Sequence, residues 1–153
     1  MRTKLALLIL VVIAGSLVGS SIAVGAKPTV TTYKLKAALN IGQEKPVPKG
    51  PKQGASGRFT ATLNGNALTW KLAYSRLTGA ATAAHIHLGA RKVAGPVIVL
   101  LCTPCTSPVS GAATLTADQL KDLLAGKYYV NVHTVKNPGG EIRGQISKAP
   151  TNP

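Results

Sequence analysis

The chain contains three histidines, and two of them, His85 and His87, are separated by one residue in the segment AAHIHL. Residues at i and i+2 of a β-strand point to the same face, with Cα atoms about 6.5–7 Å apart. Because imidazole nitrogens bind metal ions at about 2.0–2.1 Å, two such rings can converge on one ion. The third histidine, His133, follows YYVNV in a second alternating segment, and it can join the pair if the two strands are neighbours.

A set of three imidazoles suits copper or zinc, and the usual affinity order favours copper. One hypothesis is therefore a copper site at the three histidines, with zinc as the less favoured ion. The alternative is a structural polar cluster, in which the histidines hydrogen-bond to neighbours such as Asn131, Glu141 or Arg143. In that alternative His87 and His133 orient the NPGG turn, and a role in proton transfer is also open.

No other set of residues suggests catalysis. Asp118 and Asp122 are four residues apart on a predicted helix, which is typical of a solvated face and a favourable first-turn charge. Glu141 and Arg143 are expected to form cross-strand ion pairs. We name no catalytic residue, and the sequence favours a protein that binds a partner over one that transforms it.

Two cysteines, Cys102 and Cys105, occur in LCTPCTS. The C-x-x-C spacing is that of a thiol redox motif, but such motifs act at a helix N-terminus, and here the segment follows an apolar strand. In an exported chain the pair is expected to be oxidised. We predict a small structural disulfide, with a metal site or a thiol–disulfide enzyme as the alternatives.

The N-terminus has the three parts of a secretory signal peptide. Arg2 and Lys4 precede an uncharged apolar run, and Val24 and Ala26 occupy the −3 and −1 positions of a cleavage site. We predict a signal peptide over residues 1–26, a folded domain over 31–148 and a loose tail over 149–153. An uncleaved anchor is the alternative, although the apolar run is short for a span of about 20 residues. No second span is expected, and the predicted location is extracellular or in the cell envelope.

The formal net charge is +14, with Arg2 and Lys4 of the predicted leader contributing two of these charges. This excess favours anionic partners, such as a polysaccharide or another polymer of the cell surface or matrix. Specific nucleic-acid recognition is not expected, because the basic residues form no dense run and few aromatic residues accompany them.

Period-two alternation of apolar residues dominates the rest of the chain. It predicts about seven strands, including GPVIVLL, which is apolar on both faces and indicates a central or well-covered strand. NGN at 64–66 predicts a hairpin turn, and residues 42–57 predict an exposed loop. One helix is predicted in TADQLKDLLAG, with Thr116 as its N-cap. The predicted fold is therefore all-β: an antiparallel Greek-key β-sandwich or flattened barrel with one short helix.

Two long segments, LTWKLAYSRLTGAATAAHIHLGA and GKYYVNVHTVKNPGGEIRGQI, resemble the chordin-type CHRD domain. GQEKPVPKGPKQGASGRFTATLNGN resembles the opening of that family, so the resemblance runs from about Tyr33 to Ser147. It implies a secreted or cell-surface β-sandwich whose biochemical role is poorly defined. In animals the domain occurs within an extracellular antagonist of growth factors, and in microbes it often stands alone.

The chain departs from that family in two ways. EKPVPKGPK is longer and more basic than the usual Glu-Val-Pro-Pro, which puts a binding role of this loop in doubt. A single domain also lacks the cysteine-rich modules that bind growth factors, so that activity is not expected here. The chain is most similar to the single-domain, secreted microbial type.

The His-x-His strand on a Greek-key sandwich is also similar to the copper–zinc superoxide dismutases, so a superoxide-dismutase-like architecture is possible. Those enzymes use further histidines and a zinc-binding loop that this chain lacks. Three hypotheses follow: a non-catalytic envelope or extracellular module that contacts anionic polymers, a copper-binding protein, and, less favoured, a small copper redox enzyme.

Overall fold

Nine β-strands and one short α-helix are present in the computed structural model, which describes residues 30–51 and 53–150. The predicted leader over residues 1–26 lies outside the described residues, as do residues 151–153. The helix α1 spans Ala117–Leu124 and a short 3-10 helix spans Ile41–Gln43. The strands are β1 (Thr32–Asn40), β2 (Ser56–Asn64), β3 (Ala67–Ser75), β4 (Ala81–Leu88), β5 (Val97–Cys102), β6 (Val109–Thr114), β7 (Tyr128–Thr134), β8 (Ile142–Gln145) and β9 (Ser147–Lys148).

The first three strands form a meander whose alternation divides it into a buried and an exposed face. Leu35, Leu63 and Leu72 point into the core and are at most 3% exposed. Burial of each such side chain contributes about 1.5–3 kcal/mol, which fixes the register of the strands. The two-residue turn between β2 and β3 has Gly65 at a φ of +60°, as the NGN sequence predicts.

All strand pairs are antiparallel, and they form one sheet in the order β5-β4-β7-β8-β1-β2-β3-β6, with β9 paired to β1. The end strands β5 and β6 contact each other, so the sheet nearly closes into a barrel around the core. The predicted all-β antiparallel fold is confirmed. The chain forms more strands than the predicted seven, because β6 adds a strand and the last segment divides into β8 and β9.

The prediction for GPVIVLL is wrong. This segment forms β5, which ends the strand order instead of lying inside the sheet, and Val97 and Leu100 are 51% and 54% exposed. Strands that are apolar on both faces are usually covered by other elements on both sides. In β5 one face is exposed to solvent instead. The strand β6 is not among the predicted strands, because Ser110 and Gly111 have low strand propensity.

The helix α1 begins as predicted. The Thr116 hydroxyl accepts a hydrogen bond from Gln119 N, and the Gln119 side chain accepts one from Thr116 N, which completes a capping box. Gly126 follows the last turn with a φ of +73°. No helix among the described residues is long and apolar enough to cross a membrane.

Cys102 and Cys105 form a disulfide at the end of β5, so the predicted structural disulfide is confirmed. Cys105 N donates to Ala81 O at 3.2 Å, which ties the loop to the start of β4. Because both sulfurs are bonded to each other, neither cysteine provides a free thiolate.

Candidate metal centre

The strands β4 and β7 are antiparallel neighbours, and this pairing brings the three histidines together. Ala83 pairs with His133 and His85 pairs with Asn131, so His133 lies diagonally beside His85. Ala84 and Ile86 point from β4 into the core and are at most 1% exposed. Alternation therefore places the three histidines on the opposite face of the sheet.

The imidazoles lie close enough to share one ion. His85 Nδ1 lies 3.0 Å from His133 Nε2, and one ring nitrogen of each histidine lies within 4.8 Å of the others. The ring centroid of His87 lies 5.4 Å from that of His85 and 6.2 Å from that of His133. Two nitrogens bound to one ion at 2.0–2.1 Å are separated by about 2.9–3.4 Å at bond angles of 90–110°. The His85–His133 separation already matches this range.

Backbone carbonyls orient two of the rings. His87 Nδ1 lies 2.8 Å from Gly95 O, and His133 Nδ1 lies 2.9 Å from Pro138 O. Since a carbonyl only accepts, each Nδ1 carries the proton, and each Nε2 presents a lone pair in the neutral ring. His87 Nε2 is buried and has no hydrogen-bond partner among the described residues. Outer contacts of this kind orient metal-binding histidines in proteins.

The third ring depends on its tautomer. In the metal-free protein His85 Nδ1 donates to His133 Nε2, because His133 uses its own proton on Pro138 O. To bind an ion through Nδ1, His85 must carry its proton on Nε2 instead. The hydrogen bond between His85 and His133 can therefore be replaced by bonds from both nitrogens to one ion, with little movement of the rings.

The histidines are not on an open surface. His87 and His133 are 8% and 9% exposed and His85 is half-buried, although all three lie on the face of the sheet opposite the core. The loop over residues 89–96 and the turn over 135–140 supply the carbonyls that contact the two buried rings. Alternation along the sequence predicts on which face of the sheet a side chain lies. It does not show which loops cover that face.

Burial sets the charge state of the rings. Burial, together with the neighbouring His133 and His87, lowers the pKa of His85 to about 4. Burial also lowers the pKa of His87 and of His133, although their carbonyl contacts oppose the change. The three rings are therefore neutral at pH 7, which is the form that binds metal ions.

A stack of side chains supports His87 from one side. The Tyr129 ring lies parallel to the His87 ring, with an interplanar angle of 6° and centroids 5.0 Å apart. Arg143 Cζ lies 3.2 Å from the centroid of the Tyr129 ring, in a cation–π contact. Arg143 also donates to Ala90 O at 2.7 Å, and Tyr129 OH accepts from Gly95 N at 3.2 Å. The stack therefore fixes both ends of the loop that orients His87.

The expected ion pairs of Glu141 and Arg143 are absent from the described residues, where the one ion pair joins Lys127 and Asp122. Glu141 is fully buried and accepts hydrogen bonds from three residues instead. The donors are Thr78 N at 2.8 Å, Thr78 Oγ1 at 2.5 Å, Thr134 Oγ1 at 2.8 Å and Asn137 Nδ2 at 3.1 Å. Burial raises the pKa of Glu141, but these hydrogen bonds outweigh it and leave the pKa below its usual value. The network holds the turn that contains Pro138.

Sequence reasoning missed Glu44 and Tyr129. Residues 42–57 were predicted as an exposed loop, yet Glu44 is 2% exposed and interacts with Arg143 and Asn131 beside the histidines. Burial raises the pKa of Glu44 to about 7, and the Lys45 backbone hydrogen bond and Arg143 limit the rise. The one sequence feature that pointed to Glu44 was the Glu that usually occurs in the opening segment of the family that the chain resembles. Tyr129 gave no signal beyond its position in an alternating strand.

Comparison with known proteins gives one match. No curated protein and no solved structure matches the chain. A family model described as the CHRD domain matches residues 35–146, which include all three histidines, the disulfide and the Glu141 network. The chain belongs to the CHRD domain family.

Proposed function

We propose that this CHRD domain is an exported module that binds one copper ion through His85, His87 and His133. The observation that carries the proposal is the convergence of three neutral imidazoles within 4.8 Å, with two rings held by carbonyls so that Nε2 is available. His87 Nε2, which is buried and makes no hydrogen bond among the described residues, also supports the proposal.

Copper is favoured over zinc by the chemistry of the ligands. The cluster offers nitrogen alone, and N-ligand sites bind Cu²⁺ more tightly than Zn²⁺. The half-buried His85 leaves a side of the cluster that water can reach, so a water molecule can complete the coordination. Export is supported by the predicted leader and by the disulfide, which is typical of oxidising compartments.

The test is a titration of the purified chain, produced without a histidine tag, with Cu²⁺ and with Zn²⁺. We expect one equivalent of copper to bind, and excess zinc not to displace it. A His87→Ala variant should lose affinity by more than the 10–100-fold typical of outer contacts, because it removes a ligand. A Thr114→Ala variant, exposed on the distant strand β6, should bind as the parent does. Absence of stoichiometric uptake, or equal uptake by the His87→Ala variant, would refute the proposal.

The charge of the chain supports a second activity, contact with anionic polymers. The chain has 18 lysines and arginines against four acidic residues. The described part of the chain forms one ion pair, so nearly all of the basic side chains within that part lack a carboxylate partner. Such uncompensated cations attract polyanions.

A further inference from the structure

A groove of about 870 Å³ lies on the outer face of β1, β2 and β3, and none of the three histidines lines it. Its lining residues include five cations, Lys34, Lys36, Arg58, Lys71 and Arg91. None of its lining residues is acidic. The groove therefore collects positive charge that nothing on its own surface neutralises.

Strand register explains why these cations share one face. Lys36 pairs with Thr60, and Thr60 pairs with Lys71, so the two lysines flank a threonine across three strands. Neighbouring strands are about 4.8 Å apart, which places these two lysines about 10 Å apart. Lys34 follows the same alternation two residues before Lys36, about 7 Å along β1.

We infer that this groove binds a segment of a linear acidic polysaccharide, with its carboxylate or sulfate groups on the lysines and arginines. The inference rests on the contact with anionic polymers proposed above, and it assigns that contact to the outer face of β1, β2 and β3. The cations are spread along the groove instead of converging on one point, which fits a repeating anion better than a single small one. They also repel one another in the free protein, and a polyanion relieves that repulsion.

The other side chains of the groove favour a sugar polymer. Thr60, Thr62 and Thr69 alternate with the cations on the outer face and offer hydroxyl donors and acceptors for sugar hydroxyls. Lys34 Nζ already donates to Thr62 Oγ1 at 2.9 Å, so this hydroxyl group lies within reach of the cations.

Two other polyanions fit less well. Single-stranded nucleic acid is bound by stacking on exposed aromatic rings, and the one aromatic residue that lines the groove, Trp70, is 6% exposed. Membrane surfaces are bound by an apolar face inserted beside the basic residues, and the outward side chains of this groove are basic or polar, apart from alanine.

The test measures binding to polygalacturonate at low salt, with neutral dextran as the uncharged polymer. The groove variant carries Lys36→Gln, Arg58→Gln and Lys71→Gln. The matched control carries Lys45→Gln, Lys49→Gln and Lys121→Gln, which removes the same charge from exposed positions outside the groove. We expect the groove variant to bind about tenfold more weakly and the control to change little, because exposed ionic contacts are individually weak. Binding by the parent should also fall as salt rises.

Every other result of this experiment contradicts a specific part of the inference. If the parent chain does not bind polygalacturonate, both the groove assignment and the anionic-polymer proposal fail. If both triple variants lose affinity equally, the groove assignment fails and the polymer proposal stands. Tighter binding to oligothymidylate or to phosphatidylserine vesicles would overturn the ligand class. The single variant Lys36→Gln, checked for an unchanged Tm and unchanged copper uptake, covers the case in which the triple variant does not fold.

Discussion

His133 Nε2 lies 3.0 Å from His85 Nδ1, although 48 residues separate the two histidines along the chain. The contact exists because β4 and β7 are neighbours in the sheet, while the chain between them forms β5, β6 and α1. An ion bound by both rings would link these two strands directly. Since the unfolded chain lacks this arrangement, such an ion binds the folded state selectively.

Copper should therefore raise the thermal stability of the chain. At a free concentration of 100 times Kd, selective binding contributes about 2.7 kcal/mol. For a domain of this size that corresponds to a rise in Tm of about 10 °C. Differential scanning fluorimetry with and without copper measures it. A His85→Ala, His133→Ala double variant should show no rise, and an equal rise in that variant would place the ion elsewhere.

Loss of the aromatic ring beside His87 should weaken metal binding. A Tyr129→Leu variant removes both the stack on His87 and the hydroxyl that accepts from Gly95 N. We expect copper affinity to fall about tenfold, as for other outer contacts of metal-binding histidines. Tyr129→Phe keeps the stack and loses only the hydroxyl, so its loss should be smaller. Competition titration with a chelator compares the three chains, and equal affinities would show that the stack has no influence on the ion.

Removal of the Glu141 carboxylate should destabilise the whole domain. A Glu141→Ala variant leaves buried donors of Thr78, Thr134 and Asn137 without an acceptor. Unsatisfied buried donors cost about 1–3 kcal/mol each, and partial access of water limits the sum to roughly 3–5 kcal/mol. Glu141→Gln retains one acceptor oxygen and should lose less. Urea unfolding measures both variants, and a change below 1 kcal/mol for Glu141→Ala would contradict the network described here.

Acid should destabilise the metal-free domain through His85. Its folded-state pKa is about 4, against an ordinary value of 6.5. Between these values the unfolded state binds more protons than the folded state, so the stability present above pH 6.5 is lost as the pH falls towards 4. Because the ring is half-buried, solvent screening limits the loss to about 1–2 kcal/mol. NMR titration of the ring protons measures the pKa directly, and a midpoint near 6.5 would contradict the burial argument.

Glu44 should change the stability of the domain with pH in the direction opposite to His85. Its folded-state pKa is raised from 4.5 to about 7, so the folded state binds the additional proton between these values. The stability from this group is fully present below pH 4.5 and is lost as the pH rises to 7, by roughly 2–3 kcal/mol. A Glu44→Gln variant removes the change. Urea unfolding at pH 5 and pH 8 should show the parent losing more stability than the variant, whereas equal losses would assign Glu44 an ordinary pKa.

Much of the fold follows from the sequence because alternation is a local signal. Leu35, Leu63 and Leu72 occupy alternating apolar positions and lie on the core face, and the capping box at Thr116 and the turn at Gly65 depend on neighbouring residues alone. The exposed position of β5 was not predictable in this way. Its sequence is apolar on both faces, and only the strand order shows that it lies at one end of the sheet.

The grouping of the three histidines was predictable from the sequence, but the residues around them were not. His85 and His87 share a face by strand geometry, and His133 was added on the condition that its strand is a neighbour. Glu44 and Tyr129 contribute through contacts between segments distant in sequence, so no local pattern indicates them. Glu141 and Arg143 were expected to form cross-strand ion pairs, but their partners are hydroxyls, amides, a carbonyl and an aromatic ring.

If the three histidines bind an ion as proposed, their spacing along the chain has a consequence during synthesis. His85 and His87 leave the ribosome well before His133, so a nascent or truncated chain that ends before β7 exposes only a two-imidazole chelate on an unpaired strand. Such a chelate holds an ion less firmly than the completed cluster. Tight retention of the metal would then distinguish full-length, correctly paired molecules from fragments and misfolded forms.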